Sequence, residues 1–285
     1  MPVIYGFKYS YAAKAESKFL SVQIIPGHLL KKKAMARQKG IIKLKGTIGD
    51  ISFYKTQDGY LAREKGGIEA SRIANDPAFV RTRENGAEFG RAGSAGKVLR
   101  NALRLLLQNS ADGRVTSRLT QSMVKVVKAD AGSDRGMRNV LDGELEMLQG
   151  FEFNINGKLG STLFVPYTAT IDRVTGLVTV DIPAFEPINA IGAPSGASHY
   201  KLNMAASEID FESGVFQTEV SNTGILPIDA NTIPAQTMSA NLIANSTKPL
   251  FAALGVEFYQ EVNGSMYSLK NGAYNGLALV KISGV

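Results

Sequence analysis

The segment 167-YTATIDRVTGLVTVDI-182 decides the fold of the second half of the chain. Its polar and apolar residues alternate on both sides of a turn at Arg173–Gly176. Successive side chains of a β-strand point to opposite faces of a sheet, so this alternation predicts two antiparallel strands with one buried face. Similar runs, most of them broken by a glycine-containing turn, are 151-FEFNINGKLGSTLF-164, 199-HYKLNMAASEIDFESGVFQTEV-220, 257-EFYQEVNGSMYSL-269 and 276-GLALVKI-282.

Most of these runs have no helical period between them. Residues 146–285 are therefore predicted to form an antiparallel Ig-like β-sandwich. The segment 248-KPLFAALG-255 fits either a helical turn or a buried strand, because a short apolar run is compatible with both.

The first half of the chain begins with another strand pattern, 40-GIIKLKGTIGDISFYKTQDGYLAREKGG-67. Alternation interrupted by Asp58-Gly59 predicts a β-hairpin that pairs residues 51–55 with residues 60–63. A two-stranded ribbon is marginally stable in water. We therefore expect this hairpin to dock on the rest of the chain or on another protein.

Two helical patterns follow a polar, glycine-rich connection at residues 64–93. Apolar residues recur every three or four positions over Ser94–Gln108 and over Arg114–Lys128, and residues 109–113 form a short turn between them. The sequence therefore predicts an αα-hairpin and an α+β fold overall. The predicted organisation is a leader at 1–34, a basic hairpin and helical region at 35–145, and the sandwich at 146–285.

The leader does not resemble a secretory signal, because charges precede a short apolar stretch that Pro26 interrupts and no small-residue cleavage site follows. We expect it to be disordered, and patterned sequence begins just after Met35, where translation could start. No apolar run is long enough to span a bilayer, and the residues do not indicate a compartment.

Charge is distributed unevenly along the chain. Residues 1–140 contain 26 basic and 11 acidic side chains, a net charge of +15. Residues 141–285 contain 6 basic and 14 acidic side chains, a net charge of −8. A basic half can meet nucleic acid, an anionic surface or the acidic half of another copy, or its charges can simply be solvated. The residues predicted to contact an anion or a partner are Arg91, Lys97, Arg100, Arg104, Arg114, Arg118, Lys125 and Lys128.

Composition excludes several kinds of site. The chain has no Cys, which excludes disulfides, thiolate zinc sites and iron–sulfur clusters, and it has two His and no Trp. The glycine-rich segment 90–97 differs from a P-loop in spacing and has Val98 where a hydroxyl is needed. His199 has no nucleophile elbow near it, and Glu208, Asp210 and Glu212 fit either a calcium site or a solvated face. We predict no catalytic residues, no metal and no cofactor.

Several segments of the first half of the chain resemble a known group of proteins. The segments 45-KGTIGDISFYK-55 and 57-QDGYLARE-64, with Asn75-Asp76-Pro77, the run 81-RTREN-85 and Phe89, resemble uncharacterised proteins of Bacteroidota. That family has a glycine-rich β start, a helical middle and a C-terminal β domain. The resemblance covers residues 36–110 by motif, and it implies this architecture and a bacterial source.

These observations favour a non-catalytic structural or interaction protein that associates with itself or with a protein partner, as in a bacterial surface or phage-like assembly. One alternative is a nucleic-acid-associated protein that uses the basic helices. Another is a carbohydrate-binding or hydrolytic β-sandwich.

Overall fold

The computed structural model describes residues 36–64 and 67–284, and the chain divides into two compact units at Ile68 and Glu69. The predicted disorder of residues 1–34 lies outside the described residues. The fold is mixed, with helices and antiparallel sheets, one of them curled into a half-barrel.

The first unit is a four-stranded antiparallel sheet. Its strands are β1 (Ala36–Arg37), β2 (Gly46–Ile48), β3 (Ile51–Thr56) and β4 (Gly59–Glu64), in the order β1-β4-β3-β2. Strands β3 and β4 pair antiparallel, with Thr56 opposite Gly59. Gly59 has φ +112°, a backbone conformation that glycine adopts without steric cost.

The second unit contains the remaining elements. Its α-helices are α1 (Ala70–Asn75), α2 (Val80–Ala102), α3 (Arg104–Leu107), α4 (Val115–Ala129), α5 (Leu159–Thr162) and α6 (Pro187–Ala190). Short 3₁₀ helices span Pro77–Phe79, Leu145–Leu148 and Leu269–Gly272. Its strands are β5 (Thr168–Ile171), β6 (Leu177–Ile182), β7 (His199–Ile209), β8 (Phe216–Asn222), β9 (Leu226–Pro227), β10 (Gln236–Asn241), β11 (Leu250–Val262), β12 (Ser265–Ser268) and β13 (Gly276–Ser283).

Strand β11 is the centre of a six-stranded sheet. It pairs with β7 along one edge and with β13 and then β12 along the other, while β8 and β9 pair with the far edge of β7. A smaller sheet has the order β10-β6-β5. The strand predictions from residue 167 onward therefore correspond to two antiparallel sheets. The prediction of strands over 151–164 is wrong, because this segment forms turns and helix α5.

The central strands of the six-stranded sheet, β7, β11 and β13, are buried on both faces over most of their length. On β7, the side chains of Tyr200 and Leu202 belong to a hydrophobic cluster shared with the small sheet. The side chains of Ala205 and Ile209 belong to a second cluster, shared with α2 and α4. Burial on both faces explains the continuous apolar run at 250–255, which forms part of strand β11.

Helix α2 is longer than the sequence predicts. It begins at Val80, whereas the predicted helix began at Ser94, and it includes residues 80–93 of the segment expected to be a connection. The glycine-rich segment 90–97 is therefore in the middle of a helix, so its backbone N–H groups do not form an exposed helix start. Three glycines obscure the periodicity here, but burial of Ala92 and Ala95 stabilises the helix.

The helices and the strands share one core. The hydrophobic cluster of Leu99, Leu119 and Met123 also contains Phe251 and Leu279. The second compact unit therefore continues across the boundary that the sequence predicts at residue 145. Within residues 36–64 and 67–284, no helix combines the length and the hydrophobicity needed to cross a bilayer.

Candidate interaction surfaces

The helices of the second unit carry a strong excess of positive charge. Residues 97–128 contain seven basic side chains and one acidic side chain, that of Asp112. Arg118 forms an ion pair with Asp112 and donates hydrogen bonds to the carbonyls of Glu152 (2.6 Å) and Phe153 (3.1 Å). The single acid of this segment is thus neutralised internally.

The contacts of Asp112 also act on its pKa. Burial raises this pKa, but hydrogen bonds from the backbone N–H groups of Arg114 and Ile155 and from the Arg118 guanidinium outweigh it, so the pKa lies below its usual value. Asp112 is therefore ionised and fully engaged at neutral pH.

Arg91 also makes hydrogen bonds within the protein. Its Nη1 donates to the carbonyls of Gly136 (2.7 Å) and Arg138 (2.9 Å). The buried carboxylate of Glu88 accepts a hydrogen bond from the Gly136 N–H at 2.8 Å, so two side chains of α2 hold the same loop. Of the eight predicted contact residues, Arg91 and Arg118 therefore serve internal contacts.

The other predicted contact residues lie nearer the solvent. Arg100 is partly buried, and the rest are exposed: Lys97, Arg104, Arg114, Lys125 and Lys128. Within the described part of the chain, no acidic group lies within ion-pair distance of Lys97, Arg100, Arg104, Lys125 or Lys128. We call these five residues the cationic helix set.

The sheet of the first unit presents a second surface. The strand register places Ile48 opposite Ile51 and Phe53 opposite Ala62, so these four side chains share one face. Ile48 is 62% exposed and Ile51 is 46% exposed. No side chain is buried within residues 36–64. We call Ile48, Ile51, Phe53 and Ala62 the apolar sheet face.

Glu208 and Asp210 lie in different environments. Glu208 is 4% exposed and its Oε2 has no hydrogen-bond partner among the described residues. The carboxylate of Asp210 accepts hydrogen bonds from the N–H groups of Glu212 and Ser213, and these contacts lower its pKa. Among the residues that the structure describes, no three acidic or histidine side chains are grouped as metal ligands.

His199 lies at the start of β7. Its Nδ1 is 2.9 Å from Ser198 Oγ, and its Nε2 is 3.9 Å from Glu261 Oε2. Ser198 Oγ also accepts a hydrogen bond from the Glu261 N–H at 2.8 Å. The serine hydroxyl therefore links the start of β7 to the end of β11.

Sequence reasoning missed one buried polar network. Glu257 on β11 is 5% exposed, and its carboxylate contacts Lys201, Tyr259 and Asn109. Lys201 stands opposite Glu257 because of the β7–β11 register. This network connects the turn after α3 to the six-stranded sheet.

No family model, curated protein or solved structure matches this chain.

Proposed function

We propose that the protein is a non-catalytic structural protein that associates with further copies of itself through its N-terminal sheet, as a subunit of a bacterial surface or phage-like assembly. The observation that carries the proposal is the apolar sheet face, which is exposed at Ile48 and Ile51 and half-buried at Phe53 and Ala62. No side chain between residues 36 and 64 is buried.

Burial of this face has a substantial energetic consequence. Covering an Ile or Phe side chain completely is worth about 1.5–3 kcal/mol. Small sheets without a packed face are marginally stable, so a partner that covers Ile48, Ile51 and Phe53 would stabilise the sheet as well as bind it.

Charge favours a second copy as the partner. The net charge of +15 over residues 1–140 is complementary to the net charge of −8 over residues 141–285. Complementary charge speeds association and orients the partners, and it makes the interaction sensitive to salt. The basic part of one copy would thus meet the acidic part of the next.

We also propose that strands β3 and β4 act as an N-terminal β-hairpin that presents the apolar sheet face. The two-sheet region would be an Ig-like sandwich. The hydrophobic cluster shared by the small sheet and the six-stranded sheet supports the second statement.

The test is the molar mass of the full chain across protein and salt concentrations, measured by analytical ultracentrifugation. Ile48→Lys should abolish concentration-dependent association, because it places a charge on the apolar sheet face. Thr47→Lys is the matched control, since it adds the same charge to the opposite face of the same strand. A full chain that stays monomeric under all conditions, or two variants that associate equally, would contradict the proposal.

A second candidate function is binding to nucleic acid, and the cationic helix set favours it. Lys and Arg that contact phosphates release counterions, so binding weakens steeply as salt rises. Binding to a fluorescent double-stranded DNA should weaken when Lys125 and Lys128 are both changed to Gln. Each lost phosphate contact lowers the slope of log K against log salt by about one unit. Absence of binding at low salt would eliminate this function.

A further inference from the structure

A groove of about 320 Å³ lies between the end of α2, helix α3 and the start of α4. Its polar lining residues are Arg100, Asn101, Arg104 and Gln108. Leu107 and Val115 form an apolar wall. No acidic side chain is among the described residues that line it. The groove therefore concentrates hydrogen-bond donors and positive charge beside an apolar surface.

Arg100 is the unusual member of this lining. Its Nε is shielded from solvent and has no hydrogen-bond partner among the described residues. A buried polar group without a partner costs about 1–3 kcal/mol, and more when it is charged. The neighbouring Arg104 is exposed, and no ion pair within the described chain includes Arg100 or Arg104. The Arg104 guanidinium is therefore open to an acceptor from outside the chain, and the Arg100 Nε has no partner within it.

The surrounding charges do not neutralise the groove. Asp112 follows the lining residue Ala111, but Arg118 and the N–H groups of Arg114 and Ile155 already occupy its carboxylate. Val115 is the first residue of α4, and the Asp112 carboxylate accepts a hydrogen bond from the Arg114 N–H at the start of that helix. The Asp112 charge is thus compensated within the chain, and the charged side chains that line the groove are those of Arg100 and Arg104.

We propose that this groove binds a phosphoryl group carried on a small organic molecule. Arg100 and Arg104 would donate to the phosphate oxygens, and Gln108 and Asn101 would contribute amide donors. A guanidinium presents planar pairs of N–H groups, and two of them match the several oxygens of a phosphate better than the two oxygens of a carboxylate.

The apolar wall of the groove favours an organic phosphate over the free ion. Ligand sites of about 300–1,000 Å³ hold small organic molecules. Leu107 and Val115 would contact the apolar part of the ligand. This site depends neither on self-association nor on binding to DNA.

The experiment uses the full chain with phenyl phosphate as the probe, titrated by calorimetry at constant ionic strength. We expect saturable binding, tighter than that of inorganic phosphate and at least about tenfold tighter than that of benzoate. Arg100→Gln should weaken the binding of phenyl phosphate by about tenfold or more, which corresponds to about 1.4 kcal/mol. Arg100→Lys keeps the charge but loses the forked donor geometry, so we expect an intermediate loss.

Lys97→Gln is the matched control, because it removes one positive charge from the same helix outside the groove. It should leave the affinity for phenyl phosphate unchanged. Equal losses in Lys97→Gln and Arg100→Gln would show attraction by general charge and overturn the proposal, as would equal binding of benzoate. Should Arg100→Gln not fold, Arg104→Gln provides the same comparison at an exposed position, and its unchanged affinity would also overturn the proposal.

Discussion

Lys201 Nζ lies 2.9 Å from Glu257 Oε2, so β7 and β11 are joined by an ion pair within a largely buried network. The hydroxyl of Tyr259 donates to the same carboxylate oxygen at 2.6 Å. Asn109 Nδ2 donates to the other oxygen at 3.2 Å, from the turn that follows α3. Every oxygen of this carboxylate is thus satisfied, and the network fastens the helical layer to the sheet.

Replacing Glu257 by Gln should lower the free energy of unfolding by about 3 kcal/mol, because removing one partner leaves the other charge without compensation. Urea denaturation followed by circular dichroism measures this change. Glu261→Gln is the control, since the Glu261 side chain is 47% exposed on the same strand and should contribute less than about 1 kcal/mol. Equal effects of the two substitutions would contradict the role assigned to Glu257.

The same network predicts a pH dependence. Burial raises the pKa of Glu257, but hydrogen bonds from Tyr259 and Lys201 outweigh burial and hold the pKa below its usual value. A carboxyl whose pKa is lower in the folded state stabilises the fold above its unfolded pKa, and this stabilisation is lost as the pH falls through the folded pKa. The free energy of unfolding should therefore decrease below about pH 5 in the native protein, and less steeply in Glu257→Gln. Parallel pH profiles would refute this assignment.

The antiparallel sheets follow from alternation in the sequence, whereas their layering does not. Runs such as 177–182 alternate because one face of the small sheet is buried and the other is exposed. The pattern of residues 250–255 is compatible with either a helix or a strand, because burial on both faces removes the alternation. Only the packing of helices on one face and a second sheet on the other decides between them.

The first half of helix α2 was missed for a related reason. Gly86, Gly90 and Gly93 weaken its helical pattern, and the contacts that compensate for them come from residues distant in sequence, such as Gly136. The basic residues of the helices were identifiable from composition. Their separation into internal contacts, as for Arg118, and exposed positions depends on tertiary neighbours that no local pattern encodes.

Tyr200→Phe should stabilise the protein by up to about 1 kcal/mol, because it removes a buried hydroxyl that would otherwise need a partner. The hydroxyl of Tyr200 is buried and has no hydrogen-bond partner among the described residues. Thermal unfolding at neutral pH measures the difference. Tyr259→Phe is the control and should destabilise, since its hydroxyl donates to Glu257. Destabilisation by Tyr200→Phe equal to that of Tyr259→Phe would show that the Tyr200 hydroxyl has a partner.

Tyr200 should also resist ionisation. Burial and, to a smaller extent, the charge of Asp229 raise its pKa to about 12. A tyrosine whose pKa is higher in the folded state favours folding up to its unfolded pKa, and this advantage is lost as pH rises towards the folded pKa. The ultraviolet titration of the folded protein should show a late phase near pH 12, and Tyr200→Phe should lack it. An unchanged titration curve would contradict the assignment.

Two glycines should respond in opposite ways to alanine. A Cβ at Gly143 would lie 2.3 Å from the Val126 carbonyl oxygen, whereas a Cβ at Gly93 meets no atom within 4 Å. Gly93→Ala should stabilise helix α2 by about 0.5–1 kcal/mol through its higher helix propensity. Gly143→Ala should destabilise the protein by about 1–3 kcal/mol, because the backbone at Val126 or at residue 143 must move to accommodate the methyl group. Chemical denaturation compares them, and effects of the same sign would contradict the packing described.

Arg173 connects the turn between β5 and β6 to the last strand and to the loop before β11. Its Nη1 donates to the carbonyls of Ser246 (2.7 Å) and Lys248 (2.8 Å), and its Nη2 donates to those of Ser283 (2.9 Å) and Gly284 (2.6 Å). A lysine has one charged nitrogen and cannot reach acceptors on both segments with the geometry of a guanidinium.

Arg173→Lys should therefore lower the free energy of unfolding by at least about 2 kcal/mol, since hydrogen bonds to charged groups contribute about 1.5–3 kcal/mol each. Amide hydrogen exchange should accelerate in β13 more than in β7, because Arg173 secures the end of β13 directly. Arg72→Lys, at an exposed ion pair with Asp76, is the control and should change stability by less than about 1 kcal/mol. If both variants were equally stable and exchange in β13 were unchanged, the carbonyl contacts of Arg173 would not secure the end of that strand.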